Sequence, residues 1–166
     1  FFNKNQQFPY LILYILSIKK MIGMMLVRHY QVYLIEEQYA LDYLGKERLL
    51  YILFNDFSMS VGKSSRIIGR QILFVTKRLP VISLKRFINQ QMKYNPNIRH
   101  INGVYYVIQK EINGTVKSSA RLEIHNRVMN ITSDGNYEAE TILFECIRKC
   151  ADSFLAVDLK NERYGW

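Results

Sequence analysis

The first pattern in the chain that predicts a secondary-structure element has a period of two residues. The segment between positions 26 and 35 reads LVRHYQVYLI. Within it, apolar or aromatic side chains recur at every second position, at Tyr30, Val32 and Leu34. Most of these residues are β-branched or aromatic, and the segment therefore predicts a strand. Two acidic residues follow at Glu36 and Glu37, where they suit the positive N-terminal end of a helix.

A helical period replaces the alternation in the next sixty residues. Tyr39 and Tyr43 lie one turn apart in a first predicted helix, and Gly45 marks its end. Apolar residues at the same spacing predict three further helical stretches, around 50–57, from Ser65 to about Lys77, and from Ser83 to Tyr94.

The pattern changes to β after the stop signal Asn95-Pro96-Asn97. Strands are predicted at 103–109, 116–124 and 128–132, with a hairpin turn at Asn113-Gly114 between the first two. A helix from Tyr137 to about Ala151 and a strand from Phe154 to Leu159 complete the predicted elements, and 161–166 reads as a tail. This order predicts one α/β (α+β) domain with a mixed β-sheet of about four to five strands covered by several helices.

Composition narrows the class of protein. The 166 residues are enough for one domain, and 49% hydrophobic with 22% charged residues is typical of a globular chain. A net charge of +9 is compatible with an acidic partner. Two cysteines exclude a disulfide framework and favour a reducing compartment, the cytoplasm.

The first 24 residues differ from the rest. They carry three lysines and no acid, and their apolar run from Phe8 to Ile18 is shorter than the roughly 20 residues that a membrane span needs. Met21, Met24 and Met25 are candidate internal starts. We interpret 1–24 as an upstream translated or unstructured extension of a domain at 25–166, with a membrane anchor as the alternative.

Motifs for metal binding and catalysis are incomplete. The three histidines are scattered, and Cys146 and Cys150 have no second pair, whereas zinc sites use four protein ligands or three plus water. The thiols are interpreted as small apolar side chains. Gly62-Lys63-Ser64 matches only the end of a P-loop, because Phe57 stands where the first glycine belongs. We expect no catalytic residues, no metal and no cofactor.

Two sets of apolar side chains exceed what a small core requires. Tyr39 and Tyr43 share one helix face, and Ile67, Gln71 and Phe74 form a stripe offset from the apolar stripe of their helix. Exposed rings beside polar groups suit a protein interface. A wide stripe facing the core explains them equally well.

A basic cluster supports a different function. Its members lie on or near the third and fourth predicted helices: Lys63, Arg66, Arg70, Lys77, Arg78, Lys85 and Arg86. Such residues bind phosphate in nucleic acids, or they simply form a solvated helix face. A basic nucleic-acid-binding regulatory module is therefore the alternative function.

Two segments match a known sequence pattern. The first contains Arg28-His29-Tyr30, Tyr33-Leu34-Ile35 and Gly45; the second runs from Gly135 through GNYEAETI and ends at Arg163-Tyr164-Gly165-Trp166. Together they resemble the SirA family, the sporulation inhibitors of replication of Bacillus and its relatives. The resemblance spans about 25–166 and is weakest between residues 58 and 103.

The resemblance implies a regulator and not an enzyme. SirA-like proteins bind the N-terminal domain of the initiator DnaA and stop new rounds of replication early in sporulation. The positions implied to bind the partner are Tyr39, Tyr43, Gln71 and Phe74, in a one-to-one complex of a monomer that requires neither DNA nor membrane. The family pattern has Phe at position 39 and Tyr at position 74, so this chain gains a hydroxyl at one position and loses it at the other.

Overall fold

The structure is a computed structural model that describes residues 27–166. The predicted extension at 1–24 lies outside the described residues. Within 27–166, no helix combines the length and the apolar character that crossing a membrane requires.

Seven strands and five helices make up the described part of the chain. In chain order they are β1 (Arg28–Leu34), α1 (Glu37–Asp42), α2 (Glu47–Met59), α3 (Gly62–Val75), α4 (Val81–Met92), β2 (Ile98–Ile101), β3 (Val104–Lys110), β4 (Val116–Ile124), β5 (Val128–Gly135), α5 (Glu138–Arg148), β6 (Phe154–Asp158) and β7 (Arg163–Gly165). The strands form one sheet in the order β2-β3-β4-β5-β1-β6-β7, and all neighbouring pairs are antiparallel.

The predicted α+β single domain is confirmed, but the predicted sheet is wrong in two respects. The sheet is antiparallel and not mixed, and it has seven strands where four to five were expected. The two missed strands, Ile98–Ile101 and Arg163–Gly165, are four and three residues long and lie at the two edges. Segments this short show no readable alternation, and they become strands because β3 and β6 offer them backbone hydrogen bonds.

The first strand occupies the middle of the sheet. It pairs with β5 on one side, where Val32 lies opposite Met129, and with β6 on the other, where Val32 lies opposite Ala156. Successive side chains of a strand point to opposite faces, so Leu34 and Ile35 enter different hydrophobic clusters. Both faces of the sheet are therefore covered at this strand.

Each face carries its own set of helices, and α1 joins α2 and α3 on one of them. On the α4–α5 face, the larger cluster contains Leu84 and Ile88 from α4 and Leu143 from α5. On the α2–α3 face, the smaller cluster contains Phe54 from α2 and Ile72 from α3, packed over β1 and β6. The sequence predicted these four helices, although α3 begins at Gly62 instead of Ser65 and α4 at Val81 instead of Ser83.

The two cysteines lie on α5 or just beyond it. Cys146 is buried and Cys150 is half-buried, and both are reduced. Burial raises the pKa of each thiol, so both stay protonated at neutral pH. Their interpretation as small apolar side chains agrees with this environment. Among the described residues, no three His, Cys, Asp or Glu side chains are grouped as metal ligands would be.

Gly135 ends β5 where the strand runs very close to β4. Its φ is +73°, and an added Cβ would overlap the carbonyl oxygen of Lys117 and lie 2.8 Å from Cα of Ser118. Gly135→Ala is therefore expected to lower the free energy of unfolding by about 2–3 kcal/mol in urea denaturation followed by circular dichroism. Gly114→Ala is the control, because Gly114 has φ +85° but nothing within 4 Å, and should lose only about 1 kcal/mol. Equal losses of unfolding free energy in the two variants would contradict the close approach of β5 to β4 at Gly135.

Candidate partner-binding surface

A shallow groove of about 690 Å³ lies between the first three helices. Its lining is mostly apolar and aromatic and consists of Tyr39, Tyr43, Leu49, Leu50, Leu53, Arg70, Gln71, Phe74 and Val75. All four residues that the sequence resemblance marks as partner-binding line this one surface. We call it the α1–α3 groove.

A backbone hydrogen bond and a side-chain ion pair hold α1 against the end of α3. The N–H of Glu36, just before α1, donates to the carbonyl of Val75 at 2.9 Å, and Lys77 Nζ pairs with Glu37 Oε1 at 3.0 Å. Within the helix, the N–H of Tyr43 donates to the carbonyl of Tyr39 at 2.9 Å. The two tyrosines therefore lie one turn apart and are held beside α3.

The inward stripe of α3 decides which of its side chains are exposed. Ile72 and Val75 face the core and are 9% and 8% exposed. Neighbouring positions on a helix are rotated by about 100°, so Gln71 and Phe74 point away from that core. Phe74 is 68% exposed, and Ile67, on the same outer stripe, is 51% exposed. The alternative of a wide core-facing stripe is therefore wrong for α3.

The tyrosines of α1 have an intermediate environment. Tyr39 and Tyr43 are half-buried and pack against the smaller core cluster while they line the groove. The rings of Tyr39 and Phe74 are in contact, with centroids 5.2 Å apart and planes tilted by 42°. This pair joins α1 to α3 and holds the exposed Phe74 ring against a partly fixed neighbour.

The core beneath the groove is closely packed and uncharged. Tyr33 and Phe54 belong to that core, and their rings stack with centroids 4.2 Å apart. Burial raises the pKa of Tyr33 to about 12, so its hydroxyl is neutral at physiological pH and donates to Oε1 of Gln31 at 3.2 Å. The groove therefore lies over packed, neutral side chains.

Among the described residues that line the groove, Arg70 alone carries a charge. Sequence reasoning placed Arg70 in the basic cluster and missed its position beside Gln71 and Phe74. It also missed Leu49 and Leu53, for which the helical spacing of α2 was the available signal. The lining holds no thiol, hydroxyl nucleophile other than tyrosine, or carboxylate, so its chemistry suits contact with another protein.

The basic cluster predicted from the sequence is not one surface. Lys63, Arg66 and Arg70 belong to α3, whereas Lys85 and Arg86 belong to α4. These helices pack on opposite faces of the sheet. The linear cluster is therefore divided between two sides of the molecule.

Comparison with known proteins identifies a match over almost the whole described region. The family model described as "Sporulation inhibitor of replication protein SirA" matches residues 28–166. The sporulation inhibitor of replication protein SirA of Bacillus subtilis (strain 168) is 32% identical over 144 residues, which cover 84% of this chain and 92% of that protein.

Proposed function

Because the chain belongs to the SirA family of sporulation inhibitors of replication, we propose that it binds the N-terminal domain of the initiator DnaA through the α1–α3 groove. The complex is one-to-one, and binding covers the face by which DnaA associates with itself and loads other proteins at the origin. Initiation then stops during sporulation without any chemical step. The protein acts as a regulator and not as an enzyme.

The observation that carries this proposal is a convergence of distant residues. Tyr39 and Tyr43 come from α1 and its end, whereas Gln71 and Phe74 come from α3, about thirty residues later. They meet in one groove with an apolar floor and an exposed ring. Aromatic anchors next to apolar pockets are where binding energy concentrates in protein interfaces.

The exchange of hydroxyl groups also supports a shared role for two of these residues. The resemblance implies Phe at 39 and Tyr at 74, whereas this chain has Tyr39 and Phe74, whose rings touch. The pair therefore retains two rings and one hydroxyl, with the hydroxyl moved to the other ring. Such an exchange is expected if the partner contacts the pair as a unit.

Isothermal titration of the full chain with the N-terminal domain of DnaA tests the proposal directly. We expect saturable one-to-one binding that changes little with salt, because apolar rings dominate the groove. Titration with the remaining domains of DnaA is the control and should give no binding. Absence of binding to the N-terminal domain, or equal binding to the other domains, would contradict the proposed function.

A further inference from the structure

The positive charge of the chain is concentrated in one third of its length. Residues 57–110 contain ten Lys and Arg and no Asp or Glu. The whole chain has 23 basic and 14 acidic residues, so the remainder carries 13 basic and 14 acidic ones and is nearly neutral. The proposed groove uses Arg70 from this basic run, and Lys77 pairs with Glu37 beside it, which leaves most of the charge of the run without an assigned role.

Helix α4 presents part of this charge on one side. Six side chains spaced three or four positions apart line a shallow concavity of about 490 Å³: Ile82, Lys85, Arg86, Asn89, Gln90 and Lys93. Arg86 and Lys93 are exposed and Lys85 is half-buried. We call this surface the α4 face.

No carboxylate of the described residues neutralises the α4 face. No acid lines it, and no ion pair joins Lys85, Arg86 or Lys93 to a carboxylate in the described region. The neighbouring helix α5 has acids, but they are engaged elsewhere: Glu138 with Lys117, Glu140 with Arg28 and Glu145 with Arg148. The face therefore keeps its three positive charges.

We propose that the α4 face binds the phosphate backbone of duplex DNA. Lysine and arginine side chains neutralise phosphates, and the amides of Asn89 and Gln90 are among the groups that donate hydrogen bonds to them. An acidic protein is a poorer fit, because the face has no aromatic ring and only one exposed apolar anchor, Ile82.

The α4 face and the α1–α3 groove lie on opposite sides of the sheet, since α4 and α3 pack against different core clusters. They share no residue. One molecule can therefore hold a protein on one side and DNA on the other. This second activity does not depend on the proposed function, and each surface is altered without touching the other.

The binding is expected to be weak, independent of sequence and steeply dependent on salt. If three phosphates are neutralised, the logarithm of the affinity should fall with a slope of about −2.7 against the logarithm of salt concentration. This corresponds to a loss of roughly 40-fold between about 50 and 200 mM salt. Fluorescence anisotropy of a labelled random-sequence duplex, titrated with the full chain, measures both values.

Charge reversal tests whether the duplex binds at the α4 face. A triple variant with Lys85→Glu, Arg86→Glu and Lys93→Glu should lose at least about tenfold in duplex affinity at low salt. The matched control is a triple variant with Arg48→Glu, Lys149→Glu and Lys160→Glu, three exposed positions outside the basic run. It has the same net charge, and its affinity should stay within about twofold of the unaltered chain. Circular dichroism checks that both remain folded.

Three outcomes would overturn the proposal. In the first, the unaltered chain does not bind the duplex at low salt. In the second, both triple variants lose duplex affinity equally, which would mean that only net charge matters. In the third, the α4 variant retains duplex binding but loses the N-terminal domain of DnaA, which would make the face a protein contact. Loss of duplex binding with DnaA binding intact supports the α4 face and leaves the groove unaffected.

Discussion

A chain with Phe74→Ala is expected to bind the N-terminal domain of DnaA about 30-fold more weakly and to remain folded. The ring is 68% exposed, so its removal costs the folded state little. As an anchor in an apolar groove, it should contribute roughly 2 kcal/mol to binding, which corresponds to that loss of affinity. Isothermal titration measures the affinity, and circular dichroism measures the fold.

The contact between Phe74 and Tyr39 makes the prediction sharper. Tyr39→Ala should weaken binding to a similar extent, and the double variant should lose less than the sum of the two, because residues in contact are not independent. Tyr39→Phe keeps the ring and should retain most of the affinity.

Tyr94→Ala serves as the matched control for ring removal. Tyr94 is 84% exposed but is not part of the groove, so its variant should bind DnaA normally. If Phe74→Ala and Tyr94→Ala have the same affinity as the unaltered chain, the α1–α3 groove is not the binding surface.

Replacing Glu140 by alanine is expected to lower the free energy of unfolding by about 3–5 kcal/mol. Its Oε2 pairs with Arg28 Nε at 2.8 Å, and the two side chains are only 4% and 3% exposed. The hydroxyls of Tyr30 and Ser133 also donate to this carboxylate. In the variant, the buried guanidinium keeps its bonds to backbone carbonyls but loses the negative charge that offsets its desolvation.

Urea denaturation of Glu140→Ala beside Glu145→Ala measures this effect with a control on the same helix. Glu145 pairs with Arg148 at 2.9 Å, but both side chains are solvent-exposed, and its loss should cost less than about 1 kcal/mol. Comparable destabilisation in the two variants would show that burial of the Arg28–Glu140 pair does not increase its contribution to the free energy of unfolding.

The buried ion pair also explains part of the family resemblance. Arg28 belongs to the first matching segment and Glu140 to the second, and Arg28 also donates to the carbonyls of Gly135 and Asn136. Its guanidinium lies 4.5 Å from the ring centre of Tyr137. These matching residues hold β1 to the start of α5, so part of the resemblance lies in residues that stabilise the fold.

Local sequence patterns predicted those strands, helices and turns whose conformation depends mainly on their own residues. The alternation around Val32 predicted β1, and Asn113-Gly114 predicted the β3–β4 turn, where Gly114 adopts φ +85°. The helical spacing of Ile72 and Val75 predicted that both face the core, and they are 9% and 8% exposed. In each case, the types of a few neighbouring residues are enough to predict the local structure.

Helical spacing marked Tyr39, Tyr43, Gln71 and Phe74 as candidate interface residues, and the resemblance to a family implied that they bind the partner. From the residues alone, an outward stripe and a wide core stripe were equally acceptable. Packing of α1 against α3 decided between them, and it placed Arg70 at the same groove.

The amino-acid sequence by itself determined the helices, the longer strands and a positive charge confined to one stretch of the chain. Only the tertiary structure decided the antiparallel direction of the sheet, the edge strands, the contact of Tyr39 with Phe74, and the pairing of Arg28 with Glu140 across 112 positions. The physical reason is the separation along the chain of the residues that interact. Periodicity reports which side of an element is buried, whereas strand partners, ion pairs and the division of the basic residues between two faces depend on contacts between distant segments.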